Sequence, residues 1–226
     1  MQRAIERTES LRLGIMLSLI GGFMDAYSYM CRGEVFANAQ TGNMLLLGIN
    51  LCEGNFKNFL HYLFPVISFG IGILISEILR FTLEKRGSIH WRQVCIAVEA
   101  VVLICVSFMP QSINLIANSL TSLACGIQVQ GFRKIRGNGI ATTMCIGNFR
   151  SANENMLKYF EEKNRENGEK SLLYYFIILC FIIGAVIGNI FVKMFRERAI
   201  VFDALFLLIT LIVLSIDLKK SRKIEC

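Results

Sequence analysis

The chain has 226 residues, 54% apolar and 18% charged, with a net charge of +7 and a mean hydropathy of +0.52. That balance is foreign to a soluble domain and ordinary for a polytopic membrane protein, so the whole chain reads as one membrane domain. The basic residues are scattered among the gaps between apolar runs, which argues against a nucleic-acid partner. Seven of the eight cysteines lie in or beside apolar runs with no C-x-x-C pair, so they read as small packing residues and not as a disulfide framework or a metal site.

Residues 1–12 form a polar leader carrying Arg3, Arg7 and Arg12. The apolar run 13–31 matches the roughly 20 residues that a spanning helix needs. It contains Asp25 and lacks a small-x-small cleavage site, so it reads as a retained span and not as a signal peptide. Helical spacing places Gly14, Ser18, Gly21, Asp25 and Ser28 on one small, polar stripe that should face protein and not lipid. The segment 37–44, Ala-Asn-Ala-Gln-Thr-Gly-Asn-Met, is too short and polar to span. Such backbone survives at membrane depth only where protein buries it or it lines a wet cavity.

A second span runs from about 59 to 81, with Pro65 as a kink, Gly70 and Gly72 as packing points, and Glu77 near its interfacial end. Residues 84–92 form a polar surface loop, and a third span covers 94–109 with Glu99 turned into the bundle. After a tight turn at 109–111, the fourth span, about 113–132, is unusually rich in Asn, Ser, Thr and Gln. A second short Gly/Asn/Thr segment occupies 139–148, followed by a charged amphipathic stretch through Lys170. The fifth and sixth spans cover 172–192 and 200–218, with Asp203 close enough to an end to be solvated.

The order span, short polar segment, span, span occurs twice, over about 11–109 and 112–218. A gapless shift of 105 matches only Gly21, Gly42, Asn43 and Asn50 to identical residues, so the order of parts carries the repeat. If the short segments do not cross, each copy has three spans, and an odd number forces opposite orientations: the inverted-repeat plan of many transporters. With the N-terminus inside, 19 of the 24 Lys and Arg fall on the cytoplasmic side, leaving Arg32, Lys57, Lys193, Arg196 and Arg198 outside. That asymmetry is what the positive-inside rule requires, and it puts both termini in the cytoplasm.

Gly-Gly-Phe-Met-Asp-Ala at 21–26, Thr-Gly-Asn at 41–43 with Leu46 and Gly48 behind it, Gly-Ile-Gln-Val-Gln-Gly at 126–131 and Ala-Thr-Thr at 141–143 resemble the signatures of the YoaK-type family. The second block departs from that pattern in reading Ile-Gly-Asn at 146–148 where Thr-Gly is expected. The resemblance implies an all-α, six-span protein of the bacterial plasma membrane, and it supplies no reaction.

Asp25 reads either as a site residue for a proton, cation or solute, or as a structural carboxylate bonded to Ser, Asn or a half-helix N-terminus. Gln40, Thr41 and Asn43 either line a pore or cap a half-helix. Gln128 and Gln130 make either solute contacts or interhelical bonds. Thr142, Thr143 and Asn148 complete the candidate lining. No enzyme constellation is present: His61 and His90 lack metal-ligand spacing, and no nucleotide-binding glycine pattern occurs. The reading expects no cofactor and no metal; its partners are the bilayer and a small solute, with room for a homo-oligomer. It predicts a transporter or channel with a polar site between the repeats, against a non-transporting scaffold or sensor. Asp25 is expected to take its first contacts from the second repeat.

Overall fold

A computed structural model describes residues 9–84 and 90–225. Arg3 and Arg7 of the leader, Lys85 and Arg86 of the 84–92 loop, and Cys226 lie outside the described residues. The fold is all-α apart from one small hairpin. Its helices are α1 (Leu11–Cys31), α2 (Gln40–Cys52), α3 (Phe56–Leu83), α4 (Trp91–Ser107), α5 (Asn114–Gly131), α6 (Cys145–Glu162), α7 (Arg165–Phe195) and α8 (Ile200–Glu225). Strands β1 (Lys134–Ile135) and β2 (Asn138–Gly139) pair antiparallel.

Local chemistry sets several boundaries. Ser10 caps α1, its Oγ accepting from Leu13 N. His90 and Gln93 form a reciprocal capping box on α4. The stretch through Lys170 does not run on as one amphipathic helix: Lys163 adopts a left-handed conformation (φ 51°), and Asn164 caps a new helix by accepting from Glu166 N. α3 continues through Pro65 without interruption.

Among the described residues three stretches are long and apolar enough to cross a membrane: Leu11–Cys31, Phe56–Leu83, and Arg165–Lys220, which holds α7 and most of α8. α4, at 17 residues, and the Asn/Ser/Thr/Gln-rich α5 are not among them, yet both pack inside the bundle. The polarity is inverted relative to a water-soluble fold. Leu74, Phe81, Leu172, Val186 and Ile212 are exposed, whereas Ser18, Asn43, Glu99, Thr121 and Gln128 are fully buried. An apolar exterior around a polar interior suits hydrocarbon surroundings.

The main helix pairs are α3 with α5, α1 with α7, α6 with α7, and α4 with α8. Glycines make two of these crossings close. A Cβ on Gly22 would overlap the Phe181 carbonyl oxygen and sit 2.8 Å from Ala185 N; one on Gly126 would overlap the Phe69 carbonyl oxygen and sit 3.1 Å from Ile73 N. The partners reciprocate, Gly184 lying against Leu19 and Gly72 against Leu123. α1 and α5 run antiparallel, since Leu17 meets Gln128 while Arg32 meets Asn114 and Asn118.

Candidate functional site

Two short loops lead into α2 and α6 and converge on the middle of α1. Each is closed by an asparagine. Asn43 Oδ1 accepts from Phe36 N at 3.0 Å and its Nδ2 donates to Phe36 O at 2.7 Å. Asn148 does the same for Ala141, at 3.2 and 2.7 Å. In both, the amide sits seven residues after the backbone it clamps, and the two clamps are 105 residues apart. Both amides hold loop backbone ahead of their own helix, and neither helix has a side-chain cap hydrogen bond.

The loops meet at Gly21. Asn38 Nδ2 donates to Gly21 O at 2.9 Å, and Thr143 packs so closely that a Cβ on Gly21 would lie 2.9 Å from its Cγ2. Gln128 crosses from α5, its Nε2 donating to Leu17 O at 2.9 Å and to Thr142 Oγ1 at 3.3 Å. Gln40 Nε2 donates to Ala37 O at 2.7 Å and reaches Ser122 Oγ at 3.4 Å. Asn38 Oδ1, Gln128 Oε1 and Thr143 Oγ1 are buried without a hydrogen-bond partner among the described residues. A buried polar atom left unpaired costs about 1–3 kcal/mol, so these three mark where a polar ligand would be welcome.

Asp25 is buried, as its stripe required, but the expected shell from the second repeat is absent. Asn38 N donates to its Oδ1 at 2.7 Å, and the Ala37 and Ala39 amides add to that hold. All three belong to the loop that follows α1. The reason is local: the entry to α2 presents consecutive amides with no helical acceptor, and a carboxylate is the strongest acceptor within reach. From the second half, Cys125 and Cys145 come only within electrostatic reach. Two other candidates also lie elsewhere. Thr41 is on the exposed face of α2, and Gln130 turns to α3, its Nε2 donating to Glu77 Oε2 at 2.7 Å beside the Glu77–Arg80 pair.

Two other acids, Glu99, expected to face the bundle, and Asp203, expected to be solvated, are more unusual. Asp203 is not solvated: it is 2% exposed, and Glu99 is completely buried. They lie on the packed pair α4 and α8, within electrostatic reach of each other. Both Glu99 carboxyl oxygens and Asp203 Oδ2 lack any hydrogen-bond partner among the described residues. Cys125, buried on α5, donates its thiol to Met24 Sδ at 3.5 Å. A buried charge without a partner costs several kcal/mol, which a proton or a ligand cation would relieve. Among the described residues no group of three or more His, Cys, Asp or Glu could hold a metal ion.

Arg32, expected in an outer loop, is fully buried at the end of α1. Its Nε donates to Tyr27 Oη at 2.7 Å, Nη1 to Asn114 Oδ1 at 3.0 Å, and Nη2 to the Val106 and Met109 carbonyls at 3.1 and 2.9 Å. Carbonyl dipoles and side-chain oxygens here take the place of an acidic partner.

The family described as a protein of unknown function (DUF1275) matches residues 13–213. The chain is 27% identical over 184 residues to the UPF0700 transmembrane protein YoaK of Bacillus subtilis (strain 168), covering 76% of this chain and 79% of that protein. No solved structure matches. The match spans both clamped loops, the Gly21 junction and the acid pair, and the chain is a membrane protein that belongs to the DUF1275 family.

Proposed function

We propose that this chain is a small-solute transporter of the bacterial plasma membrane. It crosses the bilayer six times as two inverted three-helix repeats, with both termini cytoplasmic. Support for the repeat comes from contacts that recur in pairs: the two asparagine clamps, the two reciprocal glycine crossings, and the antiparallel α1 and α5. In this reading α4 and α5 cross as well, their polar faces covered by α8 and α3. A cysteine at Gln111, in a cysteine-depleted background, should then label from outside without membrane disruption.

The observation that carries transport is the unpartnered acid pair. A bundle that only needed to hold its shape would gain by pairing Glu99 and Asp203 or replacing them with apolar side chains. Ionisable groups kept inside a membrane at that cost mark proton and ion pathways. The pair, buried on the packed helices α4 and α8, is the proton-binding centre. The polar junction of Asn38, Gln128, Thr142 and Thr143 at Gly21 receives the solute.

The test is proteoliposomes holding a pH-sensitive dye, screened solute by solute for proton flux. Flux should fall at least about tenfold in Glu99→Gln and in Asp203→Asn, a step of the size that removing one obligatory charge produces. A screen with no flux, or variants that transport like the wild type, would reject the reading. The competing scaffold or sensor reading draws on one observation: Asp25 is bonded within its own half, as a purely structural carboxylate would be.

A further inference from the structure

Asp203 has a second surrounding that the transport reading leaves unused. It lines a cavity of about 320 Å3 between α1, α7 and α8, whose other walls are apolar and largely aromatic. Phe23 and Phe191 have ring centroids 5.9 Å apart, and Phe191 and Phe202 stand edge to face at 4.7 Å. At its margin Ile187, Leu205 and Ile209 are exposed on the apolar outer surface, so the cavity opens toward hydrocarbon and not toward water.

The chemistry narrows the occupant. A neutral apolar molecule would fill the walls and leave unmatched the one carboxyl residue that lines them. A hydrated inorganic cation needs several oxygen ligands, and this cavity supplies one carboxylate in an apolar shell. An organic cation with an apolar body satisfies both features, its charge on Asp203 and its body against rings whose faces attract cations. We infer that this cavity binds a lipid-soluble organic cation, entering sideways from the bilayer, with the ammonium against Asp203 and the apolar body between Phe23, Phe191 and Phe202. The inference shares Asp203 with the transport reading and names a ligand class for that carboxyl.

The experiment uses the full chain in lipid nanodiscs, with binding of radiolabelled benzyltrimethylammonium read by scintillation proximity. Saturable binding is expected. Neopentylbenzene, its uncharged isostere, and tetramethylammonium, the cation without the body, should both compete poorly. Asp203→Asn should weaken binding at least about tenfold, because the charge contact is made in a low-dielectric site. Phe191→Leu, which keeps the charge, should weaken it severalfold. Should Asp203→Asn misfold, the unmutated protein answers: benzyltrimethylammonium should slow modification of Asp203 by dicyclohexylcarbodiimide, located by mass spectrometry. Absence of saturable binding, equal binding by folded Asp203→Asn, or no protection of Asp203 overturns the inference. Binding is read without a gradient, so its outcome is separate from the proton flux that tests transport.

Discussion

Replacing Gly184 with alanine perturbs the α1–α7 crossing at one of its close glycine contacts. The added Cβ would overlap the Leu19 carbonyl oxygen and lie 2.7 Å from Leu19 C, where ordinary contact begins near 3.4 Å. Both obstacles are helical backbone, so no side chain can rotate away, and the helices must separate by the better part of an ångström. Overpacking of this kind costs about 1–3 kcal/mol, and the upper end is expected here because Gly22 would open its own contact with Phe181 as the helices part. Gly22→Ala should cost a similar amount. The double variant should cost less than the two singles together, since one displacement accommodates both methyl groups. The measurement is reversible unfolding in mixed micelles of increasing denaturing-detergent fraction. Single variants within about 0.5 kcal/mol of the wild type, the ordinary scatter of surface substitutions, would refute the close crossing, and strict additivity would refute the shared displacement.

Arg32→Ala should cost about 3 kcal/mol, because four acceptors, two buried and two partly buried, lose a charged donor at once, and Arg32→Lys should recover only part of it because an ammonium lacks the planar fork; equal unfolding of Ala and Lys variants would contradict this. Asn43→Ala and Asn148→Ala should each cost about 1–3 kcal/mol through two lost backbone contacts, with faster thiol labelling of a cysteine placed at Ala39 or Met144 respectively. If only one of the two variants is destabilised, the loops are not equivalent. Asp25→Asn keeps the acceptor for Asn38 N and weakens a charge-assisted bond, so about 1–2 kcal/mol of stability should go while proton flux persists. Loss of flux in a folded Asp25→Asn protein would return Asp25 to the transport centre.

Much of the bundle was readable because long apolar runs have one explanation, and α1, α3, α7 and α8 follow those runs closely. The repeat was visible only in outline. The clamps recur at a spacing of 105, but Gly22 and Gly126, like Glu99 and Asp203, are 104 apart, and Gly72 and Gly184 are 112 apart. A gapless shift of 105 therefore aligns the clamps and puts the crossing glycines and the acids out of register. Asp203 looked solvated because it stands three residues into α8, yet the 3₁₀ turn Arg196–Ala199 folds that first turn inward. Arg32 looked like a loop charge for the same reason: proximity to a helix end says nothing of what packs over it. The β1–β2 hairpin turns on the left-handed pair Arg136 and Gly137, and the break at Lys163 on a left-handed lysine; no propensity singles out the arginine or the lysine for that conformation.

The buried end of α1 has a consequence for how the chain is made. Asn114, which accepts from Arg32, emerges 82 residues after it, and Asn118, which donates to the Arg32 carbonyl, 86 residues after. The helix that covers Gly22 comes later still. During synthesis the end of the first span must therefore wait with Arg32 short of partners, held at the insertion machinery or at the lipid boundary until α5 arrives, whereas Asp25 is satisfied by the loop that follows it. Chains stalled or cut before α5 would present a first span whose Arg32 end is uncovered, a ready mark for membrane proteases. The folded bundle thus reports that its second half has been completed.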